Sequence, residues 1–163
     1  SHKGSAAYNV PLLFELDGAL DTAALRAALS DVATRHESLR TAFRELDGQL
    51  VQVISDAPVV EFQVDDISGH QQEELAVRNW AQEQASRPFD LSAGPLWRAG
   101  VLRLGPDKWW LALTMHHIVV DGWSVTVVLE ELGDAYAARR LGSAVAREPA
   151  PSQFADYAIW LRE

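Results

Sequence analysis

Residues Trp109 to His116, WWLALTMH, are apolar at almost every position. A strand with one wet face alternates between apolar and polar residues. An unbroken apolar run of this length suits a central strand covered on both faces. Leu96 to Leu104 precedes it as a second long strand, and Gly105-Pro106-Asp107-Lys108 between them suits a type I turn with Pro at its second position. A hairpin of two long strands at the heart of the chain therefore sets the frame into which everything else must fit.

Strand and helix patterns interleave around that hairpin. Val10 to Leu16 reads as the first strand. Asp21 reads as the N-cap of a helix over 21–38, with Leu25, Ala28, Leu29, Val32 and His36 on one face. Thr41 to Leu46 and Gln49 to Ile54 are strands joined by Asp47-Gly48, a strong two-residue turn signal. Val59 to Val64 is a shorter strand. Ser68 and Gln71 form a capping-box pattern before a helix over 69–86, striped by Val77, Trp80, Ala81 and Ala85 and ended by Pro88. A third helix is predicted from Gly122 to Leu141, with Val125, Val128, Leu129, Leu132 and Tyr136 on one face. Pro149 and Pro151 mark a loop, and a last short helix begins near Ser152. The sum is an α/β fold, a two-layer sandwich with a mixed β-sheet.

Composition narrows the function classes. The 163 residues contain no cysteine, which removes disulfides, zinc-thiolate sites and thiol nucleophiles, and suits a cytoplasmic protein. The formal net charge of -9 argues against nucleic acid or an anionic membrane as partner. No run of eighteen apolar residues offers a membrane span, and no basic region followed by an apolar stretch opens the chain.

The chemistry-bearing residues gather after the central strand, in Met115-His116-His117-Ile118-Val119-Val120-Asp121-Gly122-Trp123-Ser124. The carboxyl end of a strand and the start of a helix is where α/β folds place ligands. If the strand persists, alternation puts His117 beside Leu111, Leu113 and Met115, and His116 on the opposite side with Ala112 and Thr114. One ring then faces a site while the other packs within the fold. Histidine titrates near ~6.5, which suits proton transfer. Asp121 reads either as the N-cap of the third helix or as the partner of a buried arginine. Gly122 is either a tight-turn residue or one whose N–H stays open to a ligand. A metal site is disfavoured, because the histidines diverge and no third ligand is near. A serine-hydrolase triad is disfavoured too, since Ser124 lies at a helix start and no G-x-S-x-G elbow occurs.

His116 to Gly122, HHIVVDG, resembles the HHxxxDG motif of the condensation domains of non-ribosomal peptide synthetases, within the chloramphenicol-acetyltransferase-like superfamily. Further segments are similar to that family's motifs in the same order: Ala7 to Pro11, Arg35 to Phe43 (RHESLRTAF), Arg87 to Leu91 with Gly94 to Leu96, and Gln153 to Tyr157. The family's first motif and its C-terminal lobe have no counterpart in the sequence, so residues 1–163 are expected to be the N-terminal lobe of a two-lobed fold with a tunnel between the lobes. The resemblance implies an acyltransferase that forms amide bonds. The amine of one carrier-bound amino acid attacks an acyl or peptidyl thioester on another carrier. The fragment alone is expected to be inactive.

By the same resemblance His117 is the catalytic residue, acting either as general base or by orienting the amine and stabilising the tetrahedral intermediate. His116, Asp121, Gly122 and Arg40 support the site, with a largely buried Asp121–Arg40 ion pair expected, and Trp123 and Ser124 line the tunnel. The implied partners are upstream and downstream peptidyl carrier proteins, the C-terminal lobe and an adjacent adenylation domain. No intrinsic cofactor or metal is implied; phosphopantetheine arrives on the carriers. Trp123-Ser124 fits peptide-forming members, and Ile118-Val119 with Glu130-Glu131-Leu132 leans toward an L-configured donor and acceptor. A non-catalytic recruiting member of the same fold and a free-standing coenzyme A-dependent acyltransferase are the rival readings.

Overall fold

The computed structural model describes residues 9–120 and 125–142. Six strands and four helices run in the order β1 (Asn9–Asp17), α1 (Thr22–Arg35), β2 (Thr41–Leu46), β3 (Gln49–Ile54), β4 (Phe62–Asp66), α2 (Glu73–Ser86), β5 (Trp97–Gly105), β6 (Lys108–His116), α3 (His117–Val120) and α4 (Val125–Leu141). A 3₁₀ turn over Glu37–Arg40 precedes β2. The predicted last helix near Ser152 lies outside the described residues.

The main sheet has the order β1-β6-β5-β4. β6 pairs antiparallel with β1 and β5, while β4 pairs parallel with β5 through the α2 crossover. β2 and β3 form a separate hairpin, with Asp47 at φ 50° and Gly48 at φ 78°, the paired positive values that a tight two-residue turn needs.

The apolar run of β6 is explained by cover on both faces. Leu111, Leu113 and Met115 join Leu12, Phe14, Leu16, Trp97 and Val101 in the core under α1 and α4. Ala112 joins Leu13, Leu102 and Leu104 in a second cluster under Trp80 and Ala81 of α2. The sandwich on a mixed sheet is the expected architecture, and α2 adds a layer on the second face. Gly100 allows α2 to sit close: a Cβ there would lie 2.7 Å from Gln84 Oε1 and 3.4 Å from the Trp80 ring.

The boundaries differ from expectation in three places. α1 ends at Arg35 and His36 is extended, so His36 is not on the helical face. The second helix starts at Glu73 with no side-chain cap, so Ser68 and Gln71 make no capping box. The reason is a turn before it: Asp66 Oδ1 accepts the Ser68 N–H at 2.8 Å, and Gly69 takes φ 80°. Neither is compatible with a helix running from 69. β4 begins at Phe62 rather than Val59, because its pairing with β5 starts at Ala99. Asp21 does cap α1, accepting the Ala24 N–H at 3.0 Å.

Candidate functional site

β6 ends at His116, and the backbone turns there into the single helical turn α3. The ring of His116 shapes that turn. Its Nδ1 accepts the Ile118 N–H at 3.1 Å. An acceptor two residues ahead of an otherwise orphan N–H is the role that Asn, Asp or Ser plays at a helix N-cap. His116 is only 7% exposed. Burial, and after it the neighbouring His117, holds its pKa below the ordinary histidine value. The hydrogen bond agrees, since Nδ1 accepts only while it carries no proton.

His117 is the first residue of α3 and is exposed. His116 does lie on the sheet face of Ala112 and Thr114. The strand stops one residue before His117, so pleat alternation assigns His117 no side. The expectation that it joins Leu111, Leu113 and Met115 fails for that reason. The two rings nevertheless divide as one buried and one outward. Asp121, Gly122, Trp123 and Ser124 lie outside the described residues.

Beneath His116 is a row of buried polar groups. Asn9 stands opposite it across the β1–β6 ladder, and Thr114 is cross-strand from Arg98. The C-terminal carbonyls of α2 are the acceptors here. Asn9 Nδ2 donates to Ala85 O at 3.0 Å and Arg87 O at 2.8 Å. Arg98 donates from Nε to Gln84 O at 3.1 Å, and from Nη2 to Gln84 O at 2.5 Å and Arg87 O at 2.6 Å. A cation at a helix C-terminus meets both the unpaired carbonyls and the negative end of the dipole. Arg98 is 3% exposed. Burial first, then the charge of Arg87, lowers its pKa to about 10 against a smaller opposing effect of Glu61. It therefore stays charged at neutral pH. Its guanidinium carbon stands 4.3 Å from the centre of the Phe89 ring, and Phe89 meets the His116 ring edge-on at 6.4 Å and 71°.

The RHESLRTAF segment braces the same region from the other side. His36 Nε2 is 2.6 Å from Glu131 Oε2 on α4, and Arg35 reaches the other oxygen at 3.5 Å. Trp97 Nε1 donates to Leu39 O at 3.0 Å, and the Phe43 N–H to Leu91 O at 2.7 Å. Arg40 is half-buried and gives its guanidinium to carbonyls: Nε to Ala33 O at 3.0 Å, Nη1 to Ser55 O at 2.6 Å and Nη2 to Thr34 O at 3.4 Å. Among the described residues its role is thus to tie the end of α1 to the end of β3. The Asp121 half of the expected ion pair lies outside them.

Sequence reasoning singled out neither Arg98 nor Asn9, and it gave Phe89 no role. One signal was available: Arg98 is a charge set between apolar residues near the start of a largely apolar strand. Among the described residues no three His, Asp or Glu side chains come together as a metal site, and no helix is long and apolar enough to cross a membrane.

The family model described as Condensation domain matches residues 1–163. The chain is 44% identical over 159 residues to a probable non-canonical nonribosomal peptide synthetase of Salinispora arenicola, covering 98% of this chain and 2% of that protein. It is 44% identical over 161 residues to a dimodular nonribosomal peptide synthase of Bacillus subtilis, covering 98% and 7%. In structure it is similar to the starter condensation domain of rhizomide synthetase, with a TM-score of 0.77 and 27% identity, covering 85% of this chain and 34% of that one. The chain thus spans a small fraction of its curated relatives and about a third of the solved domain.

Proposed function

Because the chain belongs to the condensation-domain family of non-ribosomal peptide synthetases, we propose that it is the histidine-bearing N-terminal lobe of a domain that forms peptide bonds. The supporting observation is the division of the two histidines. His116 is buried, neutral and spent on capping α3, while His117 stands exposed at the carboxyl end of the sheet's central strand.

The reaction is aminolysis. The amine of one carrier-bound amino acid attacks the thioester carbonyl of an acyl or peptidyl group on a second carrier. The C–N bond forms, the C–S bond breaks, and the amine's proton ends on the departing phosphopantetheine thiol. His117 either takes that proton in the transition state or orients the amine and stabilises the tetrahedral intermediate. Phosphopantetheine is substrate-borne, delivered by upstream and downstream peptidyl carrier proteins, and the C-terminal lobe completes the tunnel wall. Asp121, Gly122 and Arg40 support the site in this reading, Trp123 and Ser124 line the tunnel, and an adenylation domain loads the acceptor carrier.

The test is dipeptide transfer between two loaded carriers by the complete domain. His117→Ala is expected to slow turnover about 10²–10⁴-fold if the ring transfers the proton, and less if it only positions the amine. Near-wild-type turnover by His117→Ala would remove His117 from the chemistry. A complete wild-type domain that forms no dipeptide from two loaded carriers would turn the reading toward a fold that recruits carriers without catalysis.

A further inference from the structure

The buried cation Arg98 is used by nothing in the mechanism above, yet its placement is specific. It enters from β5 on the face that α2 covers, two strand positions from the level of His116. Among the described residues it is held by carbonyls and an aromatic face rather than by a carboxylate. Burying an arginine without a carboxylate is costly unless its donors are met. Here Nε and Nη2 donate to Gln84 O and Arg87 O, the carbonyls where α2 stops. The guanidinium carbon then stands over the Phe89 ring, and the edge contact of Phe89 reaches His116.

We propose that Arg98 is a positioning residue for His117: it locks the end of α2 and Phe89 against the His116 ring, and that ring, by accepting the Ile118 N–H, fixes where β6 turns into α3. Each link is a short contact between groups with few alternative positions. Gln84 and Phe89 are buried, at 2% and 5% exposure, and the cap on Ile118 has one geometry for one ring orientation. Without the guanidinium the Phe89 ring loses its stacking partner, and the α2 carbonyls lose their donors. The His116 ring then loses the edge contact that helps hold it against Ile118, and the starting point of His117 is less firmly fixed. Lysine does not replace arginine here, because an ammonium lacks the planar fork that reaches two carbonyls while its central carbon stands over a ring. The inference rests on His117 being the reacting group, but its first readout does not.

The experiment compares the natural full-length protein with its Arg98→Lys and Phe89→Leu variants. Hydrogen exchange is followed by mass spectrometry, and dipeptide transfer is assayed with both loaded carriers. Faster exchange is expected in the peptide spanning His116 to Val120, with exchange in α1 unchanged. Turnover should fall about ten- to a hundredfold, the effect of misplacing a reacting group, while KM for either loaded carrier stays within about twofold. Leu25→Ala, in α1 under the other face, is the control for general destabilisation and should keep its kcat. The proposal is overturned if the His116–Val120 peptide exchanges as in the wild type in both folded variants. It is also overturned if Leu25→Ala, at an equal loss of Tm, lowers kcat as much. Should His117→Ala turn over normally, the assignment of His117 as the reacting group fails, while the exchange arm still decides whether Arg98 holds the turn.

Discussion

Replacing His116 by asparagine and by alanine separates two things its ring does. Asparagine keeps an acceptor close to where Nδ1 stands, 3.1 Å from the Ile118 nitrogen, and removes the titration. Alanine removes both, and leaves a hole beside Phe89 in a site only 7% exposed. Loss of an N-cap acceptor costs about 1 kcal/mol, and loss of a buried ring adds a cavity cost of about 1–3 kcal/mol. His116→Ala is therefore expected to be the less stable of the two at every pH. The pH dependence has a definite sign. The folded-state pKa lies below the ordinary value, through burial first and His117 second. As pH falls past about 6.5 the unfolded chain binds a proton that the folded ring refuses, so stability falls. The contribution is complete above that pH and is lost on the way down to the folded pKa, with a slope of at most about 1.4 kcal/mol per pH unit for one proton. Urea unfolding of the complete domain at pH 7.5, 6.5 and 5.5 measures it. The other histidines cancel in the comparison of wild type with His116→Asn, whose stability difference should drift in favour of asparagine as the medium becomes acid. Parallel curves across that range would refute a ring held neutral by burial.

Two further outcomes follow from packing and charge. Gly100→Ala drives a Cβ to within 2.7 Å of Gln84 Oε1, a buried atom with little room to move, and should cost about 1–3 kcal/mol in thermal denaturation; Gln84→Ala on top of it should recover part of that loss, and strict additivity would show the clash is elsewhere. Asp31→Ala breaks the two-pronged contact with Arg139 between α1 and α4, at 2.5 and 2.7 Å, but both groups reach solvent, Arg139 at 50% and Asp31 at 33% exposure. The loss should stay under about 1 kcal/mol and shrink in salt, and since Arg139 holds the Asp31 pKa below its usual value, it should be complete above about pH 4 and fade only as the pH falls from there through the lowered folded pKa, as measured by urea unfolding across pH.

Much of this fold is legible because its signals are local. Asp47-Gly48 fixes a hairpin wherever it lies between two apolar runs, and β2 and β3 stand at the predicted residues. The β5–β6 hairpin and the capped start of α1 are legible for the same reason. The start of α2 is not, because Asp66 and Gly69 spend the preceding residues on a turn that a capping-box pattern conceals. At the site, the family motif locates both histidines, and alternation places the ring of His116. It says nothing of His117, because the strand is ended by a histidine acting as an N-cap, a residue type that carries no capping signal. Arg98 was out of reach for a different reason. Its partners are main-chain carbonyls fourteen and eleven positions away, brought to it by the crossover of α2, and carbonyls leave no mark on a sequence.

The pairing of β1 with β6 has a consequence for how the chain is made. Asn9 meets His116, and Asp17 meets Lys108, so the first of the described strands to leave a ribosome pairs with the last of them. At about 5–20 residues per second, β1 waits roughly 5–20 s for β6 to be synthesised. α1 waits longer still, because its apolar face closes against α4. During that interval Leu12, Leu13, Phe14, Leu25 and Leu29 are exposed on the nascent chain. β4, α2, β5 and β6, by contrast, emerge together and can close on one another at once. The nascent segment therefore passes through a stage in which β1 and α1 are made but have neither β6 nor α4 to close against. Chaperone demand and rare-codon sensitivity should concentrate in that window.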